Sequence, residues 1–234
     1  GAGRNTAGSE LIIRAVDAPD PRPVWVAINA GANTLAQALW EVRASRSAEE
    51  LRSFVAKLRV YDDSGQDDAG AWICNTFPDI FYIRSRSQVF GLFGPALESG
   101  PAPWAPLTQF EWAETHVRTR HGILGALYPQ RIWFAPPWNA AHGRRSETPA
   151  AAFMDGGGTT TWLGLANKGL FEPAEIQWGG WGGRFSWTYE QSEGYSFTQF
   201  SGVSGTVEYG VPDFAPLWRW RDAYTRDFQA RMDW

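Results

Sequence analysis

The chain has 234 residues, with 14 Trp, 25 Gly, 15 Pro, one Cys and a formal net charge of -4 at pH 7. That length fits one large domain with a sizeable core, and the acidic balance without a basic run argues against nucleic acid or an anionic membrane as partner. Lone Cys74 excludes an internal disulfide framework, and no apolar run approaches the roughly 20 residues that span a bilayer.

The chain opens on Gly1 with neither an initiator Met nor a signal peptide, which reads as a processed or partial polypeptide. Residues 1–10 read as a loop and Glu10 to Val16 as the end of a helix, stopped by the prolines of Asp17 to Pro23. Val24, Trp25, Val26 and Ile28 predict a buried strand. Gly31 then allows a tight turn, and Thr34 starts a helix through Leu35, Ala36, Ala38 and Leu39. Ser47 and Glu50 match a capping box ahead of the helical spacing Leu51, Phe54, Val55 and Leu58. Lys57 to Tyr61 is a second strand, which a crossover of this kind places parallel to the first.

Asp62 to Asp68 follow as a polar loop, then a short helix over Ala69 to Thr76 and a third strand, Phe81 to Ile83, ending at Arg84 and Ser85. Three successive strands thus bring Asn29 to Thr34, Asp62 to Asp68 and Arg84 to Ser87 to one edge of the sheet. In open α/β folds that edge takes the ligand. Beyond it, Gln88 to Thr108 is loop-like, Phe110 to Arg120 is an amphipathic helix, and His121 to Pro129 is a turn with an apolar segment. Residues 134–161 form a long Pro-, Gly- and Ala-rich stretch. Trp178-Gly-Gly-Trp-Gly-Gly-Arg184 is the densest aromatic patch, followed by β-like segments at Phe185 to Tyr189 and Thr206 to Tyr209. A last helix runs from Ala215 to Asp233, with Leu217, Trp220, Tyr224, Phe228 and Met232 on one face and Arg219, Arg221, Asp222 and Asp227 in surface or interdomain pairs.

Residues 22–43 (RPVWVAINAGANTLAQALWEVR), 57–85 (KLRVYDDSGQDDAGAWICNTFPDIFYIRS), 121–129 (HGILGALYP), 178–185 (WGGWGGRF) and 219–234 (RWRDAYTRDFQARMDW) together resemble the nucleoside-hydrolase-like domain of secreted proteins often labelled cellulose-binding. The resemblance implies an α/β fold with a mainly parallel sheet flanked by helices and long Trp/Gly/Pro-rich loops. It also implies cleavage of an N- or O-glycosidic bond in a sugar-containing substrate, and an extracellular setting. Nucleoside hydrolases hold calcium in an aspartate cluster at their first strand, where it activates water against an oxocarbenium-like sugar. By the resemblance that cluster lies upstream of Gly1, so 1–234 reads as a single domain lacking its amino-terminal strand or strands. The missing part, or a second polypeptide, would supply it. The GANTLA turn resembles the family's second metal loop, which places Thr34, or Asn33, at calcium. A later acidic motif falls on Gly156 to Leu163, where glycines replace the acids and Asp155 stands just before.

The candidate residues each carry two readings. Asp67 and Asp68, with Asp62 and Asp63, supply a general base or a hard-cation site, or else cap the helix at 69–76. His121 serves as an acid or sugar donor, or caps a helix end beside Gly122. His116 and His142 have no ligand-spaced partner that would point to zinc. Trp178, Trp181 and Arg184 form a sugar platform, or a loop pinned to the core by its indoles. Asn33 contacts substrate, caps its helix, or does both. Cys74 reads as a buried small residue. The leading expectation is a glycosidase domain; the alternatives are a non-catalytic carbohydrate-binding protein and a structural assembly subunit.

Overall fold

A computed structural model describes residues 3–63, 65–85, 114–128, 163–165, 172, 174–202 and 214–234. The elements are α1 (Ala7–Asp17), β1 (Val24–Ile28), α2 (Asn33–Ser45), α3 (Ala48–Lys57), β2 (Leu58–Asp63), α4 (Ala69–Thr76), β3 (Phe81–Ser85), a π turn (Glu114–Arg118) and α5 (Ile123–Leu127). A 3-10 turn (Ile176–Trp178), β4 (Phe185–Ser192), β5 (Tyr195–Gly202), α6 (Ala215–Trp218) and α7 (Arg221–Met232) complete them. One sheet runs in the order β1-β2-β3-β5-β4, parallel at every pairing except the β4–β5 hairpin. The fold is α/β, as expected.

Local chemistry explains most element ends. Ser47 accepts from the Glu50 amide while the Glu50 carboxylate accepts from the Ser47 amide, so α3 starts where its capping box stands. α1 begins earlier than expected, at Ala7, because Thr6 and Ser9 cap each other reciprocally; a serine at the third position is a weaker sequence sign than a glutamate. β1 forms an edge of the sheet among the described residues. Val24 to Ala27 are accordingly half-buried and only Ile28 is fully covered, where the apolar run predicts a strand buried throughout. Asp62 and Asp63, expected in a loop, belong to β2: the ladder pairs them with Arg84 and Ser85 of β3.

Each face of the sheet has its own apolar cluster. On one, Leu58, Val60 and Tyr82 pack with Leu35, Leu39 and Val42 of α2, Ile73 of α4 and Phe197 of β5. On the other, Tyr61 and Ile83 pack with Ile176 and Phe185. The period-two alternation of strand side chains produces this division, since neighbouring residues point to opposite faces. A third cluster joins Trp181 to Leu217, Trp218 and Tyr224. β5 is absent from the expected elements. Glu193 (φ 54) and Gly194 (φ 79) make its two-residue hairpin turn with both residues left-handed, a role that Asn-Gly or Asp-Gly would have advertised more strongly. Thr206 to Tyr209 lie outside the described residues. The single helix expected over Ala215 to Asp233 is divided, with Arg219 and Trp220 forming a turn between α6 and α7.

Candidate functional site

The carboxyl ends of β1, β2 and β3 meet where the sequence places its polar edge. Asp67 joins two of the loops. Its Oδ1 accepts from the Ala32 amide at 3.0 Å, in the β1–α2 turn, and from the Ala69 amide at 3.1 Å, at the start of α4. A Cβ at Gly31 would collide with this carboxylate, so the close approach requires glycine there. Asp68 occupies the cap position of α4 but its side chain makes no capping bond and is exposed.

Below this edge lies a row of buried polar groups on the α4 side of the sheet. Asp62 Oδ2 accepts from the Tyr82 hydroxyl at 2.7 Å, and its Oδ1 from the Gly65 amide at 3.3 Å. Gly70 of α4 sits over that pair; a Cβ there would come within 2.8 Å of the Tyr82 oxygen. Arg84, 1% exposed, stands 3.9 Å from Asp62 and 3.8 Å from Glu190 of β4, and Gln199 of β5 donates to Glu190. Burial pushes the Asp62 carboxyl up to about 6 despite the Tyr82 bond and the Arg84 charge. Asp63 points to the opposite face. Burial, then the neighbouring Asp62 charge, pushes it up to about 7. Cys74 is buried, and burial raises its thiol well above the ordinary range, so it is inert.

A cleft of about 390 Å³ opens beside the edge, between α2 and α4. Asn33, Ala36, Trp40 and Arg43 line it from α2, Asp68, Ala69 and Trp72 from the α4 side, and Tyr195 from β5. The α2 members recur at helical spacing, on one stripe of the helix. Asn33 and Asp68 stand at the ends of the β1 and β2 loops, so the cleft is continuous in sequence with the strand edge. The sequence reading reached these two and missed Trp40, Arg43, Trp72 and Tyr195. The available signal was a tryptophan on each helix, Trp40 seven residues after Asn33 and Trp72 four after Asp68, both on the face that carries the polar residue.

The other candidates lie elsewhere. Thr34 is exposed in the first turn of α2, and Asp155 falls outside the described residues. Among the described residues no group of three or more His, Cys, Asp or Glu is placed to hold a metal ion. Trp178 is 72% exposed on its 3-10 turn, whereas Trp181 is 7% exposed and packs against Leu217, Trp218 and Tyr224, the core-pinning role. Arg184 Nε donates to the Gln177 carbonyl at 2.9 Å, and the Tyr61 hydroxyl ties the same loop down through the Gly182 carbonyl at 2.7 Å.

His121 is clasped away from the strand edge. Nδ1 meets Asp233 Oδ1 at 2.5 Å and Nε2 meets the Thr115 carbonyl at 3.0 Å, joining the π turn to the end of α7. The Asp233 bond, then the Thr115 carbonyl, raise its pKa above the usual histidine value. The clasp therefore stabilises fully below the unfolded pKa and is lost as pH rises through the folded one. His121→Ala is expected to lower the melting temperature at pH 5.5 and to change it little at pH 9. Equal losses at both would mean that the imidazolium contributes nothing.

A family model described as "Cellulose-binding Sde182, nucleoside hydrolase-like domain" matches residues 1–185. The solved structure of a nucleoside hydrolase-related hypothetical protein from Saccharophagus degradans, described as associated with carbohydrate metabolism, matches with a TM-score of 0.72 at 36% identity. That match covers 100% of this chain and 48% of the Saccharophagus chain. The UPF0246 protein BAV2675 of Bordetella avium (strain 197N) is 25% identical over 158 residues, 61% of this chain and 59% of that protein. The chain thus spans well under two thirds of either relative.

Proposed function

This chain belongs to the nucleoside hydrolase-like domain family of cellulose-binding Sde182, and from that premise we propose that it is a saccharide-binding domain whose sugar seat is the α2–α4 cleft. The lining of the cleft carries this reading. Trp40, Trp72 and Tyr195 offer flat faces to the C–H side of a pyranose, and Asn33, Arg43 and Asp68 offer donors and acceptors to its hydroxyls. The association of the Saccharophagus relative with carbohydrate metabolism points the same way.

Calorimetric titration with cellotetraose tests it. Trp40→Ala and Trp72→Ala are each expected to weaken binding by roughly tenfold, the worth of one ring stack. Trp178→Ala is expected to leave binding intact, and so is chelation with EDTA, because the seat's polar groups need no cation. Loss on Trp178→Ala with the cleft variants unaffected would move the seat to the Trp178 loop and overturn the assignment.

A second reading, hydrolysis of a glycosidic bond, is favoured by Asp63. A carboxyl held near 7 at the end of β2 populates both protonation states at neutral pH, as a general acid or base must. Release of nitrophenol from an aryl glucoside, lost in Asp63→Asn, would support it; cellotetraose binding without turnover leaves the binding reading standing alone.

A further inference from the structure

The sequence pattern places Arg221 in a surface or interdomain pair, but it is 0% exposed, and Thr225 and Tyr224 on the same face of α7 are 1% and 2% exposed. Among the described residues, all three nitrogens of the Arg221 guanidinium lack a hydrogen-bond partner, as do Tyr224 Oη, Thr225 Oγ1 and Trp181 Nε1. These groups are neighbours. Arg221, Tyr224 and Thr225 stand at i, i+3 and i+4, and the Trp181 ring lies 6.5 Å from that of Tyr224. Among the described residues no carboxylate faces the guanidinium. Burial pushes its pKa down from the ordinary value, with only Tyr224 acting the other way.

A guanidinium stays charged at any pH a protein tolerates, and leaving one buried without an anion costs several kcal/mol. The indole supplies only a donor, and the two hydroxyls can each donate. Each hydroxyl can also accept, but the cluster holds no anion to meet the guanidinium, and the planar fork of arginine matches the two oxygens of a carboxylate. We propose that Arg221, Tyr224, Thr225 and Trp181 form a carboxylate-binding site, independent of the α2–α4 cleft. The carboxylate comes from a free acidic sugar or from an acidic side chain of a polypeptide seated against α7.

Thermal melting with glucuronate as probe, and glucose as neutral control, separates the two sources. A glucuronate-dependent rise in melting temperature that glucose does not give, abolished in Arg221→Met and reduced in Arg221→Lys, establishes the free sugar acid. No glucuronate rise, with a rise on adding a poly-Glu peptide that Arg221→Met loses, establishes the polypeptide carboxylate, because methionine keeps the packing and removes only the charge. No rise with either carboxylate, or a rise that Arg221→Met retains, overturns the proposal, since it means the arginine binds no anion. If Arg221→Met fails to fold, the wild-type response and Arg221→Lys decide: a rise with either carboxylate that Arg221→Lys reduces supports the site, and no rise, or one that Arg221→Lys leaves unchanged, overturns it.

Discussion

Arg84→Met is expected to destabilise the domain by about 3 kcal/mol, the lower end of what breaking a buried ion pair costs. Asp62 and Arg84 are each 1% exposed in their side chains, and Glu190 is 14% exposed, so removal of the guanidinium takes the countercharge from a carboxylate in the interior. The arginine is not ideally placed: its contacts to the two carboxylates are 3.9 and 3.8 Å, and its Nε and Nη1 make no hydrogen bond. The loss therefore falls short of the strongest cases. For a chain of this size it corresponds to a fall in melting temperature of about 6 to 12 °C. The double variant Arg84→Met with Asp62→Asn is expected to recover most of it, because asparagine still accepts from Tyr82 and carries no charge. A double variant no more stable than the single one would show that Arg84 acts through packing, not charge.

Asp63→Asn is expected to stabilise the domain at pH 8 and to change it little at pH 4. The ordinary aspartate value is 3.8 and the folded value is about 7, so through that window the native state holds a proton that the unfolded chain has released. Stability must then fall as pH rises from about 4 to about 7 and stay low above it. Asparagine has no such penalty. Asp62, pushed up to about 6, contributes in the same direction over a narrower window. Melting curves of wild type and Asp63→Asn across pH 4 to 8 measure the divergence directly. Parallel curves would place the Asp63 carboxylate in solvent. A gain in stability joined to a loss of aryl glucoside turnover would mark Asp63 as a group held ionisable for function at the expense of the fold.

The amino-acid sequence alone accounts for the strand-turn-helix unit at 24–44, the capped α3, the parallel pairing of β1 with β2 and the meeting of three loops at one edge. Each of these rests on local chemistry: Gly31 in a tight turn, Ser47 and Glu50 three residues apart, Pro21 and Pro23 ahead of a β-rich run. It also brought Asn33 and Asp68 into the candidate site, since both stand at helix starts where strand ends deliver them. Tertiary structure decided the rest, because burial is a property of what comes to lie alongside a residue. Asp62 and Asp63 look like loop residues until the ladder with β3 draws them into the sheet. Arg84 acquires its partner Glu190 only because the β4–β5 hairpin inserts beside β3, a pairing between segments more than 100 residues apart. Trp40 and Trp72 become two walls of one cleft only when α2 and α4 pack together, and Arg221 becomes a buried cation only when its face of α7 packs into the fold. Helical and strand periodicities identify which side of an element faces inward; which charges and rings meet there depends on long-range contacts that no local pattern encodes.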